Sequence, residues 1–400
     1  MEQIKWVANK MVHTNCDHLS VMSVDEVQKA KHFHESFPMY NETPLVALNH
    51  LADFYHLGGI YVKDESYRFG LNAFKVLGGS FAMARHIAKQ LGKDVGELDY
   101  QTFTSKELKK QLGEVTFFTA TDGNHGRGVA WAARQLGQKA VVYMPKGTQQ
   151  IRLENIQKEG ATAAIEEVNY DECVRLASAH ANRTPGGVMV QDTAWEGYEE
   201  IPAWIMQGYG TMAMEAASQL GKKPTHIFVQ AGVGSLAGAV QGYFSNLYPN
   251  EEITTVIVEA SKADCLYKSA KAGDGNIRIV TGDMPTIMAG LACGEPNTIS
   301  WEILKNNSSF FVSCPDWVAE KGMCMLGAPL KDDTRVISGE SGAVSMGLLA
   351  SIMEIEEMKS LKQALNLDEH SVILMFSTEG DTDPEHYRDV VWNHKMKLSF

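Results

Sequence analysis

Four short segments of this sequence hold residue types that could carry out chemistry. The first, Lys63–Ser80, places Lys75 before Val, Leu and two glycines, at the predicted start of a helix. A lysine amine is a nucleophile near neutral pH only when it is partly removed from water, and such lysines form Schiff bases with carbonyl groups. The segment is compatible with a Schiff-base lysine and with a solvated helix residue, and its residues alone do not choose between them.

The second segment, Gln230–Gly238, is rich in glycine and joins an apolar strand to a predicted helix. Such a loop allows several backbone N–H groups to point at one phosphate, and the helix dipole favours the negative charge. A tight turn without a ligand is the alternative. Glu259, about 20 residues further along, also leaves a dinucleotide site open, although the glycine spacing departs from the nucleotide fingerprint.

The third segment, Thr119–Ala130, follows a predicted strand and contains Asp122, Asn124 and His125. Parallel sheets bind their ligands at the carboxyl ends of strands, so these side chains are candidates for a site. The alternative is a helix cap at position 121 or 122, with His125 as a hydrogen-bonded residue of the first turn.

The fourth segment, Phe376–Asp383, places Ser377 and Thr378 after the last strongly apolar run. The same rule makes the two hydroxyls candidates for a ligand site, and a polar loop is the alternative.

Short apolar runs alternate with helical patterns from residue 115 onward. The predicted strands are 115–120, 140–144, 162–165, 188–190, 227–229, 253–258 and 372–376, and the predicted helices are 125–137, 149–158, 170–182 and 384–392. Strands without polar alternation that are separated by helices indicate parallel strands buried on both faces. The sequence therefore predicts an α/β protein. Because no repeat or linker is visible, we expect domains that interleave along the chain.

Composition excludes several classes of protein. The 400 residues include 36 basic and 49 acidic side chains, for a net charge of −13, which disfavours nucleic-acid and anionic-membrane partners. The 44% hydrophobic and 21% charged residues are typical of a globular protein. The N-terminus lacks a signal-peptide pattern and no apolar run is long enough to span a bilayer, so we expect a soluble, cytoplasmic protein.

The six cysteines are widely scattered and form no C-x-x-C pair, so free thiols are expected and no metal site. Cys265 and Cys293 both lie in loop sequence that contains glycine, and they could approach each other.

Taken together and in this order, the four segments resemble the fold-type-II pyridoxal-phosphate enzymes, the group of threonine and serine dehydratases and cysteine synthase. The resemblance implies two interleaved domains of the tryptophan synthase β type, each a mostly parallel twisted sheet flanked by helices. It implies a large cofactor-binding domain of residues 1–78 and 190–400, a small domain of residues 79–189, and an active site in the cleft between them.

The resemblance also implies a role for each candidate residue. Lys75 carries the cofactor as a Schiff base, Asn124 bonds its 3′ oxygen, and Ser377, with Thr378 as the alternative, faces the pyridine nitrogen. A neutral hydroxyl there leaves the ring nitrogen unprotonated, which makes a milder electron sink suited to β-elimination. The phosphate is held by the glycine loop, at Gly232, Val233, Gly234, Ser235 and Leu236.

Six stretches resemble one branch of this group, the diaminopropionate ammonia-lyases. These stretches are 64–75, 121–128, 191–198, 288–297, 338–343 and 377–383. The resemblance implies the α,β-elimination of 2,3-diaminopropionate, of both the D and L forms, to pyruvate and two ammonia. It also implies a homodimer whose only other partner is a small amino-acid substrate.

In that reaction Lys75 serves as the base on one face of the substrate and Asp122 on the other, which would let one site process both enantiomers. Asp192 either holds the β-ammonium of the substrate or caps the helix near Trp195. Glu340 and Ser341 are weaker candidates for the cofactor pocket.

Two other functions stay open at this stage. A serine/threonine dehydratase or a β-replacing synthase would use the same cofactor. General dehydratases, however, usually have a small residue where Asp122 stands, and a glycine where Ala231 begins the phosphate loop. A non-catalytic nucleotide-binding α/β protein is the third possibility, and it depends on Glu259 and the glycine loop.

Overall fold

The structure is a computed structural model that describes residues 2–11, 17–121 and 123–393. Its strands are β1 (Lys5–Ala8), β2 (Leu45–Ala47), β3 (Gly59–Asp64), β4 (Thr116–Ala120), β5 (Lys139–Met144), β6 (Thr162–Ile165), β7 (Gly187–Met189), β8 (His226–Gln230), β9 (Thr254–Ala260), β10 (Phe310–Cys314) and β11 (Val372–Ser377).

The α-helices of the described residues are α1 (Val24–Glu35), α2 (Asn49–Tyr55), α3 (Val76–Gln90), α4 (Tyr100–Phe103), α5 (Lys106–Leu112), α6 (Asn124–Gln135), α7 (Gln150–Lys158), α8 (Tyr170–Arg183), α9 (Glu200–Leu220), α10 (Ser235–Leu247), α11 (Cys265–Ala272), α12 (Thr298–Asn307), α13 (Asp316–Gly327), α14 (Glu340–Glu354), α15 (Lys359–Ala364) and α16 (Pro384–Val391). Short 3₁₀ segments lie at Asp17–Met22, Glu65–Gly70, Val95–Glu97, Ala289–Leu291 and Glu356–Met358.

The chain divides into two compact units that interleave in sequence. The larger unit comprises Met1–Ser23, Glu42–Ala73 and Met212–Phe400, and the smaller unit comprises Val24–Asn41 and Phe74–Thr211. The assignment of 1–78 and 190–400 to one folding domain and of 79–189 to the other stays a prediction.

The larger unit is built on a sheet of seven strands in the order β1-β10-β9-β8-β11-β3-β2. The five central strands are parallel, whereas β1 and β2 pair antiparallel at the two edges. Every residue of β8, β10 and β11 is buried, as expected of strands with helices on both faces. One apolar core, with residues from α2, α13 and α14 as well as the strands, supports this sheet.

The smaller unit is built on four parallel strands in the order β6-β5-β4-β7. Two clusters of apolar residues support the sheet, one centred on Phe118 and α8 and the other on Val142 and Ile156. The Asn169 side chain accepts the Glu172 N–H and so caps the start of α8.

The predicted fold class is confirmed. Each predicted strand and helix is present, and its ends differ from the predicted ones by at most two residues. The sheets are mostly parallel, and the two antiparallel strands, β1 and β2, lie before residue 115, where the predicted alternation of strands and helices begins. Along the ranges 2–11, 17–121 and 123–393, no helix combines the length and apolar character that crossing a membrane requires.

Candidate active site

Lys75 and Asp192 form an ion pair in the smaller unit, although 117 residues separate them in sequence. The Lys75 Nζ lies 2.5 Å from Asp192 Oδ2, a short charge-assisted hydrogen bond. Lys75 immediately precedes α3, and Asp192 follows β7. The structure therefore brings together two of the three residues that were predicted to be catalytic. The third, Asp122, lies outside the described residues.

The order of the strands explains why a site forms at this place. From β4 the chain continues to β5 and β6 on one side of the sheet, and it returns to β7 on the other side. The segments after β4 and β7 therefore flank a point where the strand order reverses, which is where open α/β sheets bind ligands. His125 lies in the first of these segments and Asp192 in the second.

The Asp192 carboxylate is buried, with 9% of its side chain exposed. Burial alone would raise its pKa, but the charge of Lys75, the charge of His125 when protonated, and the hydrogen bond from Lys75 outweigh this effect. The pKa of Asp192 is consequently held well below its usual range. Asp192 is therefore an anion at neutral pH, and it binds the Lys75 ammonium at a position that is largely shielded from water.

Hydrogen bonds on both sides fix the turn that carries Asp192. The Gln191 N–H donates to the Tyr198 hydroxyl at 2.7 Å, and that hydroxyl donates to the Met189 carbonyl at 3.1 Å. The Gln191 side-chain oxygen accepts from the Thr119 hydroxyl at 2.9 Å, which ties the turn to β4. Sequence reasoning assigned no role to Gln191 or Tyr198, although both lie in the stretch 191–198 that supported the family resemblance.

His125 also contacts this pair. Its Nε2 lies 2.9 Å from the Val190 carbonyl, and its Nδ1 lies 3.9 Å from Asp192 Oδ2. Asn124, the preceding residue, begins α6, and its side chain is half-buried. Sequence reasoning left His125 out of the catalytic set, and the structure places it against the carboxylate.

The glycine loop of the larger unit lies between β8 and α10, a helix of 13 residues. Gly234 has a φ of 100°, which glycine adopts without strain, and a Cβ there would lie 2.9 Å from the Ser300 hydroxyl. Ser300 donates to the Gly234 carbonyl at 2.5 Å, and Asn297 donates to the Ser235 hydroxyl at 2.9 Å. These bonds hold the loop at the positive end of the α10 dipole, where an anion is favoured.

Ser377 and Thr378 lie next to this loop, because β8 and β11 are neighbouring parallel strands. Gln230, the last residue of β8, donates from Nε2 to the Phe376 carbonyl at 2.8 Å and to the Thr378 hydroxyl at 2.9 Å. The Ser377 hydroxyl is fully buried and donates to the Ser338 hydroxyl at 2.8 Å. The predicted phosphate loop and the predicted pyridine partners thus lie at the same edge of one sheet.

Comparison with known proteins decides the family. The family model described as "Pyridoxal-phosphate dependent enzyme" matches residues 37–375, which is more than half of the chain. This chain belongs to the pyridoxal-phosphate-dependent enzymes. The predicted family and the predicted cofactor, pyridoxal phosphate, are confirmed.

Relatives within the family are similar over nearly their whole length. The chain is 51% identical to the diaminopropionate ammonia-lyase of Salmonella typhimurium over 380 residues, which is 94% of each protein. It is also 51% identical to the enzyme of Escherichia coli K12 over 383 residues, which is 95% of this chain and 94% of the relative.

Solved structures show the same relationship. The structure of the Escherichia coli diaminopropionate ammonia-lyase in complex with an aminoacrylate-PLP azomethine reaction intermediate has a TM-score of 0.89, with 47% identity and 98% of each chain covered. A threonine deaminase isoform from Solanum lycopersicum shares the fold, with a TM-score of 0.72 at 20% identity.

The residues of this pyridoxal-phosphate enzyme fit the cofactor. A left-handed glycine before the long helix α10 leaves the loop without a side chain at the point where a bound phosphate would approach it. The buried Ser377 hydroxyl can donate to an unprotonated ring nitrogen if the Ser338 hydroxyl, 2.8 Å away, then donates to Ser377 instead of accepting from it. Lys75, with 21% of its side chain exposed, is partly desolvated, as a Schiff-base lysine must be.

The weaker candidates have specific partners. Glu340, the first residue of α14, forms a hydrogen bond with His386, and the Ser341 hydroxyl accepts the Gly290 N–H at 3.2 Å. Their role in the cofactor pocket stays a prediction.

The Glu259 carboxylate caps the start of helix α11. Its carboxylate is buried and accepts the N–H groups of Leu266 at 2.9 Å and Tyr267 at 2.6 Å, in the first turn of α11. A carboxylate used in this way is not available to a ribose, so the nucleotide alternative loses the residue on which it depended.

Five of the six cysteines are described, and none of these five is in a disulfide. Cys265 and Cys293 approach each other without a disulfide, since the Cys265 thiol lies 3.6 Å from the Cys293 carbonyl oxygen. Cys16 lies outside the described residues.

Proposed function

We propose that this protein is a diaminopropionate ammonia-lyase, which converts 2,3-diaminopropionate to pyruvate and two ammonia. The observation that carries the proposal is the buried Asp192 carboxylate beside the Lys75 amine. A site built to hold an ammonium group there suits a substrate whose leaving group is itself an ammonium. The similarity to the Salmonella and Escherichia coli enzymes supports the same substrate.

Three residues of the smaller unit act on the substrate in this reaction. When bound, pyridoxal phosphate draws electrons from the substrate and so acidifies its α-proton. Lys75 takes that proton on one face and Asp122 takes it on the other, which makes both the D and the L forms substrates. Asp192 binds the β-ammonium, so that the nitrogen stays protonated until the carbon–nitrogen bond breaks and it leaves as neutral ammonia. The remaining three-carbon enamine hydrolyses to pyruvate and a second ammonia.

Residues of the larger unit hold the cofactor. The N–H groups of Gly232, Val233, Gly234, Ser235 and Leu236 receive its phosphate. Ser377 donates to the ring nitrogen, and Thr378 is the alternative donor. Asn124, from the smaller unit, bonds the 3′ oxygen. Family resemblance also supports a homodimer in the cytoplasm, and light scattering of the purified protein tests the dimer.

The deciding experiment measures ammonia and pyruvate released from D- and L-2,3-diaminopropionate, serine and threonine by the same yellow enzyme preparation. From either form of diaminopropionate we expect two ammonia for each pyruvate. The rates on serine and threonine should be far lower. Equal or faster release from serine would indicate a dehydratase. A β-replacing synthase would instead require an added nucleophile for turnover.

A further inference from the structure

The orientation of the His125 ring is set by one hydrogen bond. Its Nε2 lies 2.9 Å from the Val190 carbonyl oxygen, which can only accept. Nε2 therefore carries a proton, and in the neutral ring Nδ1 is an acceptor with its lone pair in the ring plane. The imidazole is 4% exposed and cannot turn away into water without losing this bond.

That lone pair and the Asp192 carboxylate are spaced to share one ammonium. Nδ1 lies 3.9 Å from Asp192 Oδ2. A nitrogen placed about 2.9 Å from both acceptors would subtend an angle of about 85°, so each hydrogen bond bends by roughly 10–15° from the tetrahedral direction, which is well within the usual range. An ammonium already lies on this carboxylate, since Lys75 Nζ contacts the same oxygen.

We infer that His125 is a specificity residue whose Nδ1 accepts a second hydrogen bond from the β-ammonium of the substrate, beside Asp192. This inference rests on the proposed function and extends it. An ammonium has three donors and satisfies both acceptors. The hydroxyl of serine has one donor, so it can donate to only one of these two acceptors.

The test compares two substrates that differ only in the leaving group. 2,3-Diaminopropionate presents an ammonium, whereas 3-chloroalanine presents a chloride that donates no hydrogen bond. In His125→Gln the side-chain amide still donates to the Val190 carbonyl but offers no lone pair at the Nδ1 position. We expect kcat/KM for diaminopropionate to fall by about tenfold to a hundredfold, while kcat/KM for 3-chloroalanine changes by less than about threefold.

His180→Gln is the matched control, because it makes the same chemical change at an exposed position of the smaller unit. It should leave both substrates unaffected. His125→Ala must lower the same ratio, and it replaces His125→Gln if that variant does not fold. A double variant with Asp192→Asn should lose less on diaminopropionate than the product of the two single losses, since the two residues share one ligand group.

Equal losses on both substrates would overturn the inference and reduce His125 to a structural support. Strictly multiplicative losses in the double variant would do the same. A wild-type enzyme that releases chloride from 3-chloroalanine but no ammonia from diaminopropionate would instead overturn the proposed function, so the two failures are distinguishable.

Discussion

Gly128 of α6 lies directly against the backbone of Val76, the first residue of α3. A Cβ at position 128 would lie 2.8 Å from both the N and the Cα of Val76, closer than real Cβ atoms approach. The carbonyl carbon of Lys75 would lie 3.2 Å away. The absence of a side chain at this position therefore sets how closely α6 approaches Lys75, the proposed Schiff-base residue.

Gly128→Ala should push α6 and α3 apart, because backbone atoms cannot move aside as a flexible side chain does. We expect a loss of about 1–3 kcal/mol in the free energy of unfolding, together with weaker cofactor binding at the displaced Lys75. Thermal unfolding and cofactor titration measure the two effects. Gly79→Ala is the control in the facing helix, since the nearest atom to its Cβ would be a side-chain methyl of Val129, at 3.3 Å, and the Val129 backbone would lie at 3.7 Å, an ordinary van der Waals distance.

Asp192→Asn should lower kcat/KM for diaminopropionate by about ten- to a hundredfold, because the proposed buried, charge-assisted hydrogen bond to the β-ammonium of the substrate is lost. Steady-state rates with confirmed cofactor occupancy measure the effect. Glu167→Gln removes a carboxylate from an exposed ion pair with Lys146 and should change nothing. Unchanged turnover in Asp192→Asn would show that the carboxylate only pairs with Lys75 in the free protein.

Gly234→Val should weaken cofactor binding by about tenfold or more. The melting temperature of the protein without cofactor should fall only slightly. Valine is strained at a φ of 100°, and its Cβ would displace the Ser300 hydroxyl that holds the loop. Gly273→Val, at a φ of 67° after α11, introduces comparable strain away from the loop. If both variants lower stability equally and neither lowers cofactor affinity, the loop is a turn and not a phosphate site.

Much of this structure could be predicted from the sequence, because parallel strands buried on both faces are continuous apolar runs. The strand that contains Ile227 is an example. The helix that begins at Tyr170 was also predicted at the place where it lies. The Lys75–Asp192 pair could not be predicted, since the sequence does not tell which polar residues meet across 117 positions. The position of Glu259 left a nucleotide site open in the sequence for a related reason. An acid after a strand caps a helix or binds a ribose, and only its partners distinguish the two.

Glu259→Gln should become more stabilising relative to the wild type as the pH rises. Burial raises the pKa of Glu259 to about 8, from an ordinary value of 4.5. Between these values the folded protein holds a proton that the unfolded chain releases, so wild-type stability falls as the pH rises through this window. The slope is at most about 1.4 kcal/mol per pH unit, and it ends near pH 8.

The measurement compares the free energy of unfolding of wild type and Glu259→Gln at pH 6 and at pH 8. Because the amide has no charge to bury, the difference between the two proteins isolates Glu259 from other titrating groups. A difference that does not change with pH would mean that the carboxylate stays ionised, stabilised by the N–H groups of Leu266 and Tyr267.

Asp122→Asn should affect the two enantiomers of diaminopropionate unequally. The amide keeps the size of the carboxylate but cannot accept a proton near neutral pH, so the substitution removes the proposed base and little else. If Lys75 serves the opposite face as proposed, one enantiomer should lose about 10²–10⁴-fold in turnover while the other keeps most of its rate. Family resemblance indicates the D form as the sensitive one.

The measurement is the turnover rate on each pure enantiomer, at equal cofactor occupancy. Equal losses would assign Asp122 to the organisation of the site, and no loss on either would leave it a helix cap, with Lys75 as the base for both.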